Sequence, residues 1–229
     1  MNFFENIAAR FYLTFIYENR WSFFLDGLWM TILLTASSFL LGTMFGALFC
    51  RMRLSGSRLL RNTANLLTNL LVQLPTVVLL LVFAYVIFGS APLSLVVIAI
   101  FALTLKTAAY MAEIFHSAVT SVEKGEIEAA YTLGLSRIQT FCHVTLPQAV
   151  ASALPVYKNQ FVITLQETSI VGYLSIMDLT RASDIVTTRT LDAMFGLISV
   201  AVLYLLIGWL GSTLLNVLAH QKHLGGEEK

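Results

Sequence analysis

Within one long apolar run, Lys106, Tyr110, Glu113 and Ser117 recur at i, i+4, i+7 and i+11, a single helical stripe. A charge at a bilayer centre costs about 2.5–3.5 kcal/mol on insertion scales, so such residues mark solute paths, proton relays or paired contacts. A second polar face lies further on, with Gln160, Thr164, Glu167 and Thr168 at i, i+4, i+7 and i+8 and Ser169 beside them. Two chemistries fit. Lys106 and Glu167 would meet a solute that carries both charges, or Lys106, Glu113 and Glu167 would relay protons. Two structural alternatives stand beside these. Lys106 and Glu113, about 10 Å apart along a helix axis, pair with each other, or the second face joins helices by hydrogen bonds. Lys158 sits on another face, where it can snorkel to an interface.

The solvent for these stripes follows from composition. Of 229 residues, 57% are hydrophobic and 12% charged, with mean hydropathy +0.78. Soluble domains carry roughly 25% charged residues. This chain is therefore an integral membrane protein. Its net charge of +1 and lack of a basic tract give no sign of a nucleic-acid partner. Cys50 and Cys142 fall near expected cytoplasmic edges and suit reduced thiols. His116, His143, His220 and His223 have no ligand at metal spacing.

A hydrocarbon core takes about 20 apolar residues to span. Five stretches qualify, near 26–50, 63–88, 92–118, 150–173 and 193–217, all expected as helices. Arg51, Arg53, Arg58 and Arg61 place the first connection in the cytoplasm. Alternation then puts the N-terminus outside and the C-terminal tail inside. Lys124, Arg137, Lys222 and Lys229 fall inside on this scheme, whereas Arg10, Arg20, Arg181 and Arg189 fall outside. The first 21 residues lack a signal-peptide pattern. Phe3, Phe4, Ile7, Phe11, Phe15 and Ile16 mixed with Asn2, Glu5, Asn6, Arg10 and Glu18 predict an interfacial helix. Five spans without an internal repeat suit half of a pathway completed by a second subunit, since many self-contained transporters use paired repeats.

Gln73 and Pro75 predict a kink in the second span. Gly42 and Gly46 predict close helix packing in the first. The connection after the third span, about residues 119–149, is long for a plain link. Ile127, Ala130, Tyr131 and Gly134 share one face of a helix expected over 121–135. Gly134 suits its C-terminal cap. Ser136 and Gln139 match a capping box opening a second helix that carries Ile138, Phe141 and Cys142. Pro147 then opens the fourth span. The product is a helical hairpin offering a docking surface at the cytoplasmic membrane face.

Glu128-Ala129-Ala130, Gly134, Val144 and Leu146-Pro147 together resemble the EAA loop of ABC importer permeases. Ala108-Ala109-Tyr110-Met111-Ala112-Glu113-Ile114, Gln166-Glu167-Thr168-Ser169-Ile170 and Phe24-Leu25-Asp26-Gly27-Leu28 with Thr31 resemble segments of its polar amino-acid branch, which includes histidine, glutamine and glutamate importers. The resemblance covers about 22–218. It implies an all-α permease domain over 22–218, an interfacial segment over 1–21, an ATPase-coupling loop over 121–147 and a cytoplasmic tail over 219–229. It also implies a multi-pass protein of a bacterial plasma membrane. Glu128, Ala129, Ala130, Gly134, Leu146 and Pro147 would engage a cytosolic ATPase dimer, which would hold the ATP and Mg. A second permease subunit, identical or similar, and an external amino-acid-binding protein would complete the importer.

The same resemblance implies a break in helix regularity near Glu167-Thr168-Ser169. The polar faces and the expected kink place Gln73, Lys106, Gln160, Thr164, Glu167, Thr168 and Ser169 on the pathway. The resemblance assigns the binding-protein contact to residues 174–192, a stretch that otherwise suits a solvated loop with Asp178, Arg181, Asp184, Arg189 and Asp192 alternating in sign. The chain has no phosphate-binding Gly-rich loop, so neither catalysis nor a resident cofactor or metal is expected in it. Departures from the branch are the segment Val72-Gln73-Leu74-Pro75, which lacks the Arg frequent a few residues before that proline, His116 for Arg, Glu126 for Gln and Glu167 for Asp. An ion-coupled secondary transporter and a scaffold that recruits a cytosolic partner are the alternatives. The buried charges fit the first of these, and the hairpin fits the second.

Overall fold

The computed structural model describes residues 3–224, and side chains over 5–219. Asn2 and Lys229 lie outside the described residues, and so do the side chains of Phe3, Phe4, His220, Lys222 and His223 and nearly all of the expected tail. Every regular element among the described residues is helical. Internal contacts divide the chain into two units.

The first unit comprises residues up to Ser38, Thr76–Leu103 and the chain from Phe161. It opens with α1 (Phe3–Phe11), which carries Glu5 in its first turn and Arg10 in its last, as the helix dipole favours. A π-helical turn over Tyr12–Ile16 and a short 3-10 turn over Tyr17–Asn19 follow. The helix expected over the first 21 residues is thus cut short. The Arg20 guanidinium donates to the Leu13 carbonyl at 2.8 Å and to Glu18 at 3.1 Å, pinning that turn. Helix α2 (Trp21–Arg53) begins here and contributes its later residues to the second unit. Leu34, Leu80, Ile98, Leu103, Val171 and Leu174 belong to the first unit's main core. They come from α2, α4 (Thr76–Leu81), α5 (Leu95–Thr120) and the 3-10 turn Thr168–Leu174. Helix α10 (Met194–Leu224) closes the chain.

Residues 174–192 are not the solvated loop of the sequence-based alternative. They fold into α9 (Leu179–Thr190), which buries Leu179, Ala182, Ser183 and Val186 at i, i+3, i+4 and i+7. The Asp178 carboxylate caps it by accepting from Thr180 N at 3.1 Å and Arg181 N at 3.0 Å. It also accepts from the Tyr204 hydroxyl at 3.4 Å. Asp178 is fully buried, so it is removed from the charged surface expected there. Burial pushes its carboxyl above the ordinary value of 3.8, and the two backbone donors oppose that rise. A carboxyl raised by folding takes up a proton on folding. Its contribution to stability is therefore full below the ordinary carboxyl range and is lost as pH rises through the folded pKa. Asp178→Asn keeps a cap acceptor and is expected to flatten that loss, read as a thermal midpoint that varies less across the acidic range than in the parent.

The second unit comprises Phe39–Pro75 and Thr104–Gln160. It holds the later part of α2, all of α3 (Arg58–Gln73) and the later part of α5. It also holds α6 (Lys124–Thr132), α7 (Arg137–Thr140) and most of α8 (Leu146–Glu167). Gly42 and Gly46 bring α2 against α5 as predicted. A Cβ at Gly42 would meet the Thr107 side chain at 2.6 Å, and one at Gly46 would meet the Ala108 carbonyl at 3.0 Å. Neither neighbour can withdraw cheaply, because both belong to the facing helix. Gly46→Leu is therefore expected to cost about 3 kcal/mol by overpacking. Recovery of folded, monodisperse protein from membranes would fall several-fold, and unchanged recovery would refute this contact's importance.

Three described helices are long and apolar enough to cross a membrane, Trp21–Arg53, Leu95–Thr120 and Met194–Ala219. A fourth span results if the broken pair Arg58–Gln73 and Thr76–Ile87 counts as one. The stretch expected as the fourth span in sequence order, 150–173, is α-helical only to Glu167, contains Pro155 and does not join that set. Its Lys158, Asn159, Gln160, Gln166 and Glu167 lower its hydropathy.

Candidate functional site

The helix breaks where Gln73 and Pro75 predicted. Helix α3 ends at Gln73, Leu74 takes an extended conformation (φ −71°, ψ 132°), and α4 starts at Thr76. In an unbroken helix the Leu71 carbonyl would receive the N–H of residue 75. That residue is Pro75, which has none. The last carbonyls of α3 are thus left without helical donors. Lys106 supplies them. Its ammonium donates to the carbonyls of Leu71 at 2.8 Å, Val72 at 2.9 Å and Leu74 at 2.5 Å. It also lies 5.3 Å from the Tyr110 ring centroid, one turn along α5. Lys106 is 2% exposed.

This settles one structural alternative. With its ammonium turned onto the carbonyls of α3 and its break, Lys106 does not pair with Glu113. That carboxylate accepts from Arg53 at 2.6 Å, joining the end of α2 to α5, with Glu113's side chain 40% exposed. At such exposure the pair is worth about 1 kcal/mol or less. Ser117, the last residue of the expected stripe, is exposed.

On the far side of the break, the Thr76 hydroxyl donates to Glu167 at 2.8 Å. Glu167 is the last residue of α8, and the chain tightens into the 3-10 turn Thr168–Leu174 directly after it. The irregularity implied near Glu167-Thr168-Ser169 is therefore present. Gln160, Thr164 and Thr168 are buried, and Thr168 donates to the Leu165 carbonyl at 2.7 Å. Ser169 is half-buried and donates to Gln166 O at 2.7 Å. Gln73 is exposed. Lys106 thus holds the end of α3 within the second unit, and Glu167 accepts from the start of α4 within the first.

The connection between α5 and α8 folds as two short helices. Helix α6 ends in a Schellman motif, with Gly134 N donating to Tyr131 O at 3.0 Å and Leu135 N to Ala130 O at 3.2 Å. Gly134 takes φ +84°, the left-handed value that motif needs. Ser136 and Gln139 form the expected capping box at the start of α7. Helix α6 is shorter than the expected 121–135 because its N-terminal turn begins only after Glu123. Ala130 is buried, whereas Glu128, Ala129, Leu146 and Pro147 are exposed. Gln148 of α8 donates to Glu126, tying the two ends of the connection. Leu133 is 80% and Ile138 77% exposed, with Tyr131 and Phe141 also open, an apolar surface that a monomer rarely leaves bare. Cys142 is exposed beside it, and Cys50 is buried; both are free thiols. Among the described residues no cluster of ligating side chains could hold a metal.

These features are those of a membrane-embedded subunit of a transport system. A family model described as a binding-protein-dependent transport system inner membrane component matches residues 38–222, and the chain belongs to that family. It is 32% identical over 198 residues to a probable amino-acid ABC transporter permease protein, YckA, of Bacillus subtilis (strain 168), covering 85% of this chain and 86% of that protein. It is 32% identical over 198 residues to the glutamate transport system permease protein GluD of Corynebacterium glutamicum, covering 82% and 72%. A crystal structure of an amino acid ABC transporter with histidines superposes with a TM-score of 0.79 at 26% identity, covering 96% of this chain and 99% of that one. A MetNI methionine ABC transporter chain shares the fold, with a TM-score of 0.67 at 21% identity.

Sequence reasoning missed three things here. It treated Lys106 and Pro75 separately, although the ammonium answers the proline's missing donor. It gave Arg53 no partner. It read α9 as alternating charge, although Leu179, Ala182 and Val186 after Asp178 carry a helix pattern with its cap.

Proposed function

We propose that this chain is the permease subunit of an ATP-driven ABC importer for amino acids. It forms half of a pathway with a second, identical or similar, permease and takes solute from an external amino-acid-binding protein. The observation that carries the proposal is the exposed apolar hairpin locked at its turn, by the Schellman motif at Gly134 and by the capping box at Ser136. Glu128, Ala129, Ala130, Gly134, Leu146 and Pro147 form its docking element for a cytosolic ATPase dimer, where ATP and Mg are bound. The permease domain runs over 22–218 with five membrane crossings in a bacterial plasma membrane, α8 with the turn after it being the fourth. The N-terminus is outside and the tail inside. The pathway passes Gln73, Gln160, Thr164, Glu167, Thr168 and Ser169. Lys106 acts on it indirectly, by holding the break beside Gln73.

The test is affinity purification of the tagged chain in mild detergent. An ATPase and a second permease should co-purify, and Glu128→Lys should remove the ATPase while leaving the permease pair. Purification of the chain alone, or uptake that persists in ATP-depleted cells, would sink the proposal.

A further inference from the structure

Helix α3 divides into three sectors around its axis. One sector, Ala64 and Thr68 with Leu71 beside them, is buried or half-buried. A second, led by Leu59, Leu66 and Leu70, is open and apolar, with Leu59 76% exposed. Between these lies a row of carboxamides, Asn62, Asn65, Asn69 and Gln73, at i, i+3, i+7 and i+11. The row runs about 16 Å along the axis and ends at the break that Lys106 holds. Asn62, Asn69 and Gln73 are exposed and Asn65 half-buried. Among the described residues, the side-chain amides of Asn62, Asn69 and Gln73 have no hydrogen-bond partner. Yet α3 and the helix after Pro75, bent by 108° at the break, together carry enough apolar length to enter a membrane.

An amide without a partner in hydrocarbon costs several kcal/mol. The leucine sector suits lipid, and the carboxamide row does not. Close contacts between membrane helices favour small residues, and Ala64 and Thr68, which serve that purpose, lie on the buried sector instead. We infer that the carboxamide row lines a water-filled stretch of the solute passage on the Gln73 side of the break. A carboxamide both donates and accepts, so it meets a carboxylate and an ammonium equally well. Four in a row, with no fixed charge among them, let a solute bearing both charges move from one to the next without being held. This rests on the permease reading above and names the chemistry of that passage.

The test uses the assembled transporter in inside-out membrane vesicles. In a Cys50→Ala, Cys142→Ser background, single cysteines replace Asn62, Asn69 and Gln73, or Leu59, Leu66 and Leu70. A membrane-impermeant methanethiosulfonate probe should modify the first set roughly tenfold faster or more than the second. Equal rates on the two faces would overturn the inference. So would an unlabelled first set that instead forms a disulfide between two Asn69→Cys copies on oxidation, which marks a subunit contact. Should the first set label in a chain that recruits no ATPase, the wet passage stands and the importer reading falls alone.

Discussion

Lys106→Met is expected to lower the stability of the purified permease by about 2 kcal/mol, because the part-buried carbonyls of Leu71, Val72 and Leu74 lose their charged donor. The size follows from what the ammonium does. Hydrogen bonds to charged groups are worth about 1.5–3 kcal/mol, and stranding their acceptors adds a desolvation cost. Two opposing effects reduce the total. Methionine fills similar volume, and removing a buried charge relieves its own burial cost. A second variant separates the clamp from general packing. Pro75→Ala restores an N–H opposite Leu71, so in the Lys106→Met background it should recover part of the lost stability. Thermal unfolding in detergent reads both effects. No recovery, or a Lys106→Met midpoint equal to the parent's, would show that the break holds without the clamp.

The second large effect is expected at Gly134. A Cβ there meets nothing within 4 Å, so bulk alone should do no harm. The cost comes from φ +84°, where a β-branched residue is strained by about 1–3 kcal/mol. In a two-helix element this small, that cost is comparable to the whole contribution of its caps. Gly134→Val should therefore unlock the hairpin and abolish recovery of a bound ATPase while the membrane helices fold as before. Gly134→Asn should retain most binding, because Asn tolerates the left-handed region. Equal binding by all three proteins would show that the cap does not set the docking surface.

These two sites differ in how far they were visible beforehand. Gly134, Ser136 and Gln139 obey local rules in which every partner lies within six residues, so the sequence alone was enough to place them. Lys106 obeys a rule just as simple, a donor for an orphaned helix end, but its acceptors lie 32–35 residues back along the chain. Periodicity places Lys106 on a face of α5 and gives no information on which chain end that face meets. The same distance hides Arg53 from Glu113, 60 positions apart, and Thr76 from Glu167, 91 apart. Helix α9 failed for another reason. Its apolar face is only three residues deep, and five charges in the same stretch outweighed it in a reading by polarity. The carboxamide row was nearly invisible for the converse reason. Asn62, Asn65 and Asn69 sit among leucines in an average that still passes for a span, and only exposure shows that they share an open face.

One feature of the connection between α5 and α8 also acts as a mechanical element. From Arg137 to Glu167 the chain never leaves helical backbone: α7 passes through the π-helical turn Phe141–Thr145 into α8 without a cap between them. The hairpin's second helix and the segment ending at Glu167 are therefore one shaft. A π-helical turn holds one residue more than the α-helix needs. Tightening it to α-helical pitch would turn everything before it by about 100° about the shaft, since an α-helix has 3.6 residues per turn. Phe141–Thr145 is thus an indexing joint between the hairpin's second helix and the start of α8.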